Sequence, residues 1–308
     1  MTKYIVKRVV AGIFSLFILI TITFFLMHAI PGGPFSPSEQ RDVPQEVLQQ
    51  INKKYGLDKP VYEQYVLYLK DLLHGDLGNS FKKADTSVNE LIGNGFPVSA
   101  EVGALAILLA LIIGIPLGIL SAIYRGKFVD KFSITFATVG ISVPIFVISV
   151  LLMFLFAVKL KILPTYGLNS WQSFILPVFC LAFSPIAYIT RLMRSSMLEV
   201  MRQDYIRTAR AKGVPEFLVI MKHAFRNSVI PIVTYLGPLF AALLTGSFII
   251  ERLFSIPGIG RYFVSGISDR DYSVTLGLTI FFGALLILCN IIVDLLYVVI
   301  DPRVKIDE

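Results

Sequence analysis

Charge is scarce in this chain: 16% of its 308 residues are Asp, Glu, Lys or Arg, while 55% are hydrophobic. A soluble domain of that length carries more charge and interrupts its apolar runs more often. Cysteine is nearly absent as well. Cys180 and Cys289 each sit inside an apolar run, so neither a disulfide framework nor a clustered metal-ligand spacing exists, and both read as small packing residues. His28, His74 and His223 are equally dispersed, which removes a metal centre or a nucleophilic triad built on them. No Gly-x-x-x-x-Gly-Lys-Ser/Thr phosphate loop occurs, since the Gly126-Lys127 pair is followed by Phe128. No close pair of carboxylates within the apolar runs suggests acid–base chemistry. These absences argue against an enzyme: no catalytic, cofactor-binding or metal-binding residue is expected in this chain.

Apolar length is what the chain does have, with a mean hydropathy of +0.74. A helix crosses the hydrocarbon core with about 20 residues. Six windows qualify: Val9–Ile30, Ser99–Tyr124, Phe132–Val158, Ser173–Met193, Ser228–Ile250 and Leu276–Ile300. The expected fold is therefore all-α, a polytopic membrane protein with six transmembrane helices. The net charge of +7 is unevenly spread: Lys3, Lys7 and Arg8, then Arg125, Lys127 and Lys131, then a cluster from Arg191 to Arg226, then Arg303 and Lys305. Basic residues concentrate on the cytoplasmic side of short loops, which gives an N-in, C-in topology, with Lys159 and Lys161 weighing mildly against it. The excess charge thus reports topology, and no nucleic-acid partner is expected. The N-terminus starts like a signal peptide, but its apolar stretch is too long and Met27-His28-Ala29 is a poor cleavage site, so it reads as a retained anchor helix.

This topology divides the chain into a cytoplasmic start and first helix at 1–30, an extracytoplasmic segment at 31–98, a five-helix core at 99–300 containing a cytoplasmic loop at 194–227, and a tail at 301–308. Pro31-Gly-Gly-Pro34 ends the first helix. Pro44 to Tyr55 reads as a short helix, and within Pro60–His74 the residues Tyr62, Tyr65, Val66, Leu69, Leu72 and Leu73 mark an amphipathic one. That segment suits a cap on the outer helix ends, a docking surface, or both. Gly114-Ile-Pro116-Leu-Gly118, Gly140-Ile-Ser-Val-Pro144, Pro177, Pro185, Pro231 and Gly237-Pro238 interrupt the spans, as close packing or a cavity allows. Few charges enter the spans. Glu101 lies near an outer end and Asp294 near an inner one, where it is expected to face protein or water; one such group is too few for an ion relay. Ser142, Thr234, Tyr235 and Ser247 suit a pore lining or ordinary helix packing, and substrate-binding residues are left unassigned.

The polar, basic stretch at 202–226 is longer than a connection requires. Asp204 suits a helix N-terminus, so that Tyr205 to Lys212 forms a short helix closed by Gly213 in the left-handed conformation. Thr208, Ala209 and Ala211 are small enough to lie inside a partner's groove, with Arg207, Arg210 and Lys212 as rim charges. Pro215 and Glu216 restart a helix whose apolar face is Phe217, Ile220, Met221, Ala224 and Phe225, opposite Lys222, His223 and Arg226. Spacing alone also permits an amphipathic helix resting on membrane lipid.

Thr208-Ala209-x-x-x-Gly213 resembles the coupling motif of ATP-binding-cassette importer permeases. Asp204-Tyr-Ile-Arg-Thr-Ala-Arg-Ala-Lys-Gly213 with His223-Ala-Phe-Arg-Asn227 and Ile230-Pro231 is similar to the dipeptide/oligopeptide branch, most like its B-type subunit. Tyr55-Gly-Leu-Asp-Lys-Pro60, Gly75-Asp-Leu-Gly78, Gly246-Ser-Phe-Ile-Ile-Glu251, Ile256-Pro-Gly-Ile-Gly260, Arg270-Asp-Tyr272 and Asp301-Pro-Arg303 extend the resemblance over nearly the whole chain. Arg207 replaces the motif's leading Glu, and His223-Ala-Phe225-Arg226 replaces its Ile-x-Leu-Pro ending. The resemblance implies a multi-pass bacterial cell-membrane permease that imports oligopeptides by alternating access. It implies a second permease subunit, two ATPase subunits holding ATP and Mg, and an extracytoplasmic binding protein. Asp204, Tyr205, Arg207, Thr208, Ala209, Arg210, Lys212 and Gly213 would form the ATPase-coupling loop. Dipeptides, nickel, haem or oligosaccharide are alternative cargoes for the same machinery. A stand-alone channel or ion-coupled carrier is the competing class, disfavoured by the sparse intramembrane charge.

Overall fold

The computed structural model describes the backbone of residues 2–30, 49–50, 52–53, 55–83 and 85–300, and among these the side chains of 6–293. The Pro31–Pro34 stop, most of the Pro44–Tyr55 helix, the Asp294 side chain and the 301–308 tail lie outside the described residues. Among the described residues the helices are α1 (Thr2–Ala29), α2 (Val61–Leu73), α3 (Val88–Ile123), α4 (Phe128–Ser142), α5 (Ile145–Leu152, extended by a π-helical Met153–Lys159) and α6 (Trp171–Val200). Then come α7 (Asp204–Ala211), α8 (Glu216–Leu218), a π-helical Val219–Ala224, α9 (Phe225–Ser228), α10 (Ile230–Leu244), α11 (Phe248–Leu253), α12 (Gly260–Ser268) and α13 (Tyr272–Ile300).

Five helices are long and apolar enough to cross a membrane: Val6–Ala29, Val88–Ile123, Trp171–Val200, Ile230–Leu253 and Tyr272–Val293. The window expected over Phe132–Val158 is occupied by the pair Phe128–Ser142 and Ile145–Lys159, bent by 108°. Proline disfavours helical geometry in the residue before it. Val143 is extended at φ −86°, ψ 126°, and Pro144 follows at φ −57°, ψ 138°, so two successive non-helical residues turn the chain. The Ile230–Leu253 span also breaks, at Thr245–Ser247, where Gly246 has φ +80° and Ser247 Oγ accepts from the Ile250 N–H at 3.5 Å to cap α11. α3 starts well before the expected Ser99. Its first turn is capped by Ser87 Oγ, which accepts from Glu90 N–H at 3.1 Å, and Val88 and Leu91 are buried.

The described chain forms two compact units. The first comprises Met1–Val98 and Pro257–Ile287. Val88, Leu91, Ile259, Val274 and Leu278 form one of its clusters, and Phe24, Met27, Tyr272 and Leu276 another, against which Tyr65 and Tyr68 of α2 pack. α2 is tied to α1 by the 2.6 Å hydrogen bond between Thr21 and the Tyr65 hydroxyl. Buried Asp271 accepts from Ser80 Oγ and from the N–H groups of Phe81 at 3.2 Å and Val274 at 3.3 Å, anchoring the stretch around Ser80 to the start of α13.

The second unit comprises Ser99–Ile256 and Leu288–Glu308. α6 is its centre: α4, α5, α9, α10 and α11 all pack on it. Glycine permits the approach. A Cβ on Gly118 would lie 2.5 Å from Met193 Cβ, one on Gly140 would lie 2.5 Å from Ala187 Cβ, and one on Gly103 would strike the backbone carbonyl of Leu243. Small residues at crossings let membrane helices gain close van der Waals contact.

Candidate functional site

The stretch at 202–226 folds as two short helical segments packed on each other. Asp204 opens α7 and is almost fully exposed; its pair with Arg207 at 3.5 Å is equally exposed and contributes little. At the other end Gly213 has φ +76°. There Val214 N–H donates to Ala209 O at 3.3 Å and Gly213 N–H to Arg210 O at 2.9 Å. This pairing is a Schellman closure, and it needs the left-handed residue that Gly supplies at lowest cost.

Ile206 and Ala209 are buried, and α7 rests on the π-helical turn, whose Val219, Ile220 and Ala224 are also buried. Ala209 thus faces inward rather than lying on the outer face with Thr208 and Ala211, as expected from their size. The residues left outside on α7 and its end are Tyr205, Thr208, Ala211, Lys212 and Gly213, with Arg207 and Arg210 beside them. Arg210 is bound within the loop: its Nε and Nη2 donate to the two Glu216 carboxylate oxygens at 3.0 and 2.6 Å. These hydrogen bonds hold the Glu216 carboxyl below its ordinary range and raise Arg210. Asn227 Nδ2 donates to the Tyr205 hydroxyl at 2.7 Å, fastening α7 to α9.

The second segment differs from its expected register. The π-helical Val219–Ala224 bonds i to i+5, which brings Val219 over Ala224. Val219, Ile220 and Ala224 are therefore the buried set, while Phe217 (71% exposed) and Met221 (44%) face outward instead of seating the helix.

One element of the site was not read from the sequence. Asp130, buried in the first turn of α4, accepts from Ser121 Oγ at 2.6 Å, Gly126 N–H at 2.7 Å, and Arg194 Nε and Nη2 at 2.6 and 3.0 Å. It joins the inner ends of α3, α4 and α6 a few residues before the loop begins. Opposite charges at two inner helix ends were visible in the sequence, but which pair would meet was not. Of the polar candidates within the spans, Ser142 and Thr234 are exposed, Tyr235 is half-buried with its ring 4.4 Å from that of Tyr188, and Ser247 caps α11. In the first unit an open cavity of about 370 Å³ is lined by, among others, Tyr55, Phe81, Tyr272, Lys59, Asp71 and Asp76.

Residues 114–306 match the family described as "Binding-protein-dependent transport system inner membrane component", and residues 1–110 match its N-terminal membrane component. The chain is 45% identical over 308 residues to the dipeptide transport system permease protein DppB of Bacillus subtilis, covering 100% of this chain and 99% of that one. It is 47% identical over 307 residues to the oligopeptide transport system permease protein OppB of Salmonella typhimurium, covering 99% and 100%. A chain of the MetNI methionine ABC transporter in an inward-facing conformation superposes with a TM-score of 0.57 at 16% identity, over 68% of this chain and 96% of that chain, which shows the fold. The family match over residues 114–306 and 45–47% identity over nearly the whole length of two permeases converge: this chain belongs to the inner membrane components of binding-protein-dependent transport systems.

Proposed function

We propose that this chain is the permease subunit of an ATP-driven importer that carries oligopeptides through the bacterial cell membrane, and that residues 204–213 dock in a groove of an ATPase subunit. The observation that carries the docking reading is the division of α7 into two faces. Ile206 and Ala209 are buried, while Tyr205, Thr208 and Lys212 are exposed on a helix braced by the Arg210–Glu216 and Asn227–Tyr205 bonds. A braced lever transmits displacement; a mobile loop would absorb it. Permeases named for dipeptide and for oligopeptide transport, 45% and 47% identical, support peptide as the cargo class.

In this reading ATP and Mg reside on two partner ATPases, and a second permease completes the passage. An extracytoplasmic binding protein delivers the peptide. Closure of the ATPase dimer pushes α7, and the push reaches α6 through α9 and the buried contacts of Ser228 and Met197. Packed helices then move as rigid bodies between inward- and outward-facing states. Deleting 204–213 in the intact complex is expected to abolish ATP-dependent peptide uptake while the binding protein still binds peptide. Undiminished uptake would sink the docking role.

A further inference from the structure

α2 lies across the side of α1 and not on its tip. Gln64 Oε1 accepts from His28 Nε2 at 3.2 Å, in the last turn of α1. The next residue, Tyr65, reaches Thr21 through the 2.6 Å hydroxyl bond, and its ring lies 5.3 Å from that of Phe25. Thr21 and His28 stand two turns apart, about 10 Å along a helix axis. Thr21 is also well inside the apolar window Val6–Ala29. The Tyr65 side of α2 therefore points along α1 into the membrane, and the Gln64 side points out of it.

Helical spacing fixes the other side chains against that direction. Tyr62, Val66, Leu69 and Leu73 share the flank next to Tyr65 and opposite Gln64. Asp71 stands two turns on from Gln64 on the outward flank, and Glu63 and Lys70 lie at the level between. The inward flank is open: Tyr62, Val66 and Leu73 are 64%, 60% and 87% exposed. Apart from the Tyr62 hydroxyl, which donates to the Glu63 carboxylate at 3.1 Å, it carries no polar group. Apolar side chains exposed singly need no explanation, but a contiguous apolar patch does. This one runs on into the exposed Phe25 and Leu26 of α1, whose window is only 11% buried. Hydrocarbon solvates no polar group, so a lipid face has this composition. A tyrosine at its edge, with its ring in the apolar layer and its hydroxyl in the wet one, suits the membrane interface.

We infer that α2 is a membrane-interface helix whose Tyr62–Val66–Leu69–Leu73 flank is seated on phospholipid acyl chains, in the leaflet at the C-terminal end of α1. In the N-in topology that is the outer leaflet. The seat rests on α1 being a span, and on neither the cargo nor the ATPase docking proposed above. The test uses the intact transporter in vesicles of phosphatidylcholine and phosphatidylglycerol, with nitroxide labels on single introduced cysteines. Depth is read from relaxation by oxygen, which partitions into lipid, against relaxation by a water-soluble nickel chelate. Labels at Val66→Cys and Leu73→Cys are expected about 5–10 Å below the headgroup boundary, as for other interfacial helices. A label at Asp71→Cys is expected in water. Cys180 and Cys289 are buried, and the unsubstituted transporter sets the background. Tyr62→Cys reads the same flank if either of the first two variants fails to assemble. Preferential relaxation of the Val66 and Leu73 labels by nickel places the flank in water, and protection from both reagents places it under a partner protein; either overturns the seat. An Asp71 label as deep as the other two overturns it as well, because α2 would then be immersed on every side.

Discussion

Four hydrogen bonds converge on the Asp130 carboxylate, from Ser121, Gly126 and both forks of Arg194. Asp130 is buried while Arg194 is a quarter exposed, so removing the carboxylate leaves a partly solvated guanidinium and unmet Ser121 and Gly126 donors. Asp130→Ala is therefore expected to lower the stability of the permease by about 1–3 kcal/mol. Arg194→Met combined with it should cost less than the sum of the single changes, which a double-mutant cycle of thermal unfolding in the assembled complex measures. The exposed Arg210–Glu216 pair behaves differently. Glu216 is held below its ordinary 4.5 by the Arg210 hydrogen bonds. A lowered carboxyl pKa contributes stability that is fully present above the ordinary value and is lost as pH falls through the lowered one. The contribution is small because both side chains are solvated. Amide exchange in α7 and α8 is expected to quicken as pH drops below about 4.5, beyond its intrinsic pH trend, and Glu216→Gln should remove that extra dependence. Residue chemistry was legible in part: Gly213 takes the left-handed conformation its position required, whereas the inward turn of Ala209 was invisible because small residues suit either side of a helix.

Among the helices, glycine separates positions where space is used from positions where it is not. Gly93 and Gly103 both lie in α3, but a Cβ at Gly93 meets nothing within 4 Å while one at Gly103 strikes the Leu243 backbone. Gly93→Ala is expected to leave stability unchanged or raise it by about 0.5–1 kcal/mol through helix propensity. Gly103→Ala should lower it by about 1–3 kcal/mol, since a backbone carbonyl cannot rotate aside. Thermal midpoints of the two variants in one preparation compare them directly, and equal midpoints would contradict the packing. Most crossings were readable from apolar length alone. The bend at Val143–Pro144 and the break at Gly246 were marked in sequence only by the residues that permit them, because proline and glycine allow a break without fixing its angle. The π-helical Val219–Ala224 left no such mark, and its register alone sends Phe217 and Met221 outward.

For the molecule as a machine, the question is how motion at an inner loop reaches the passage. α7 presents Thr208 and hides Ile206. If the loop docks an ATPase, a Thr208→Cys variant is expected to cross-link to that subunit with a yield that changes on ATP addition, and Ile206→Cys is expected not to. Cross-linking from both positions equally would mean that α7 unfolds or rolls in the complex. The sequence by itself determined the class of protein, most of its membrane-spanning helices and the family, because apolar length and short motifs are local properties. Only the tertiary structure decided which charges pair across helices, which face of α7 is free, and which flank of α2 is left open. Those depend on what packs beside each residue, and an apolar sequence permits many such arrangements until close contact at glycines and a few buried polar bonds select one.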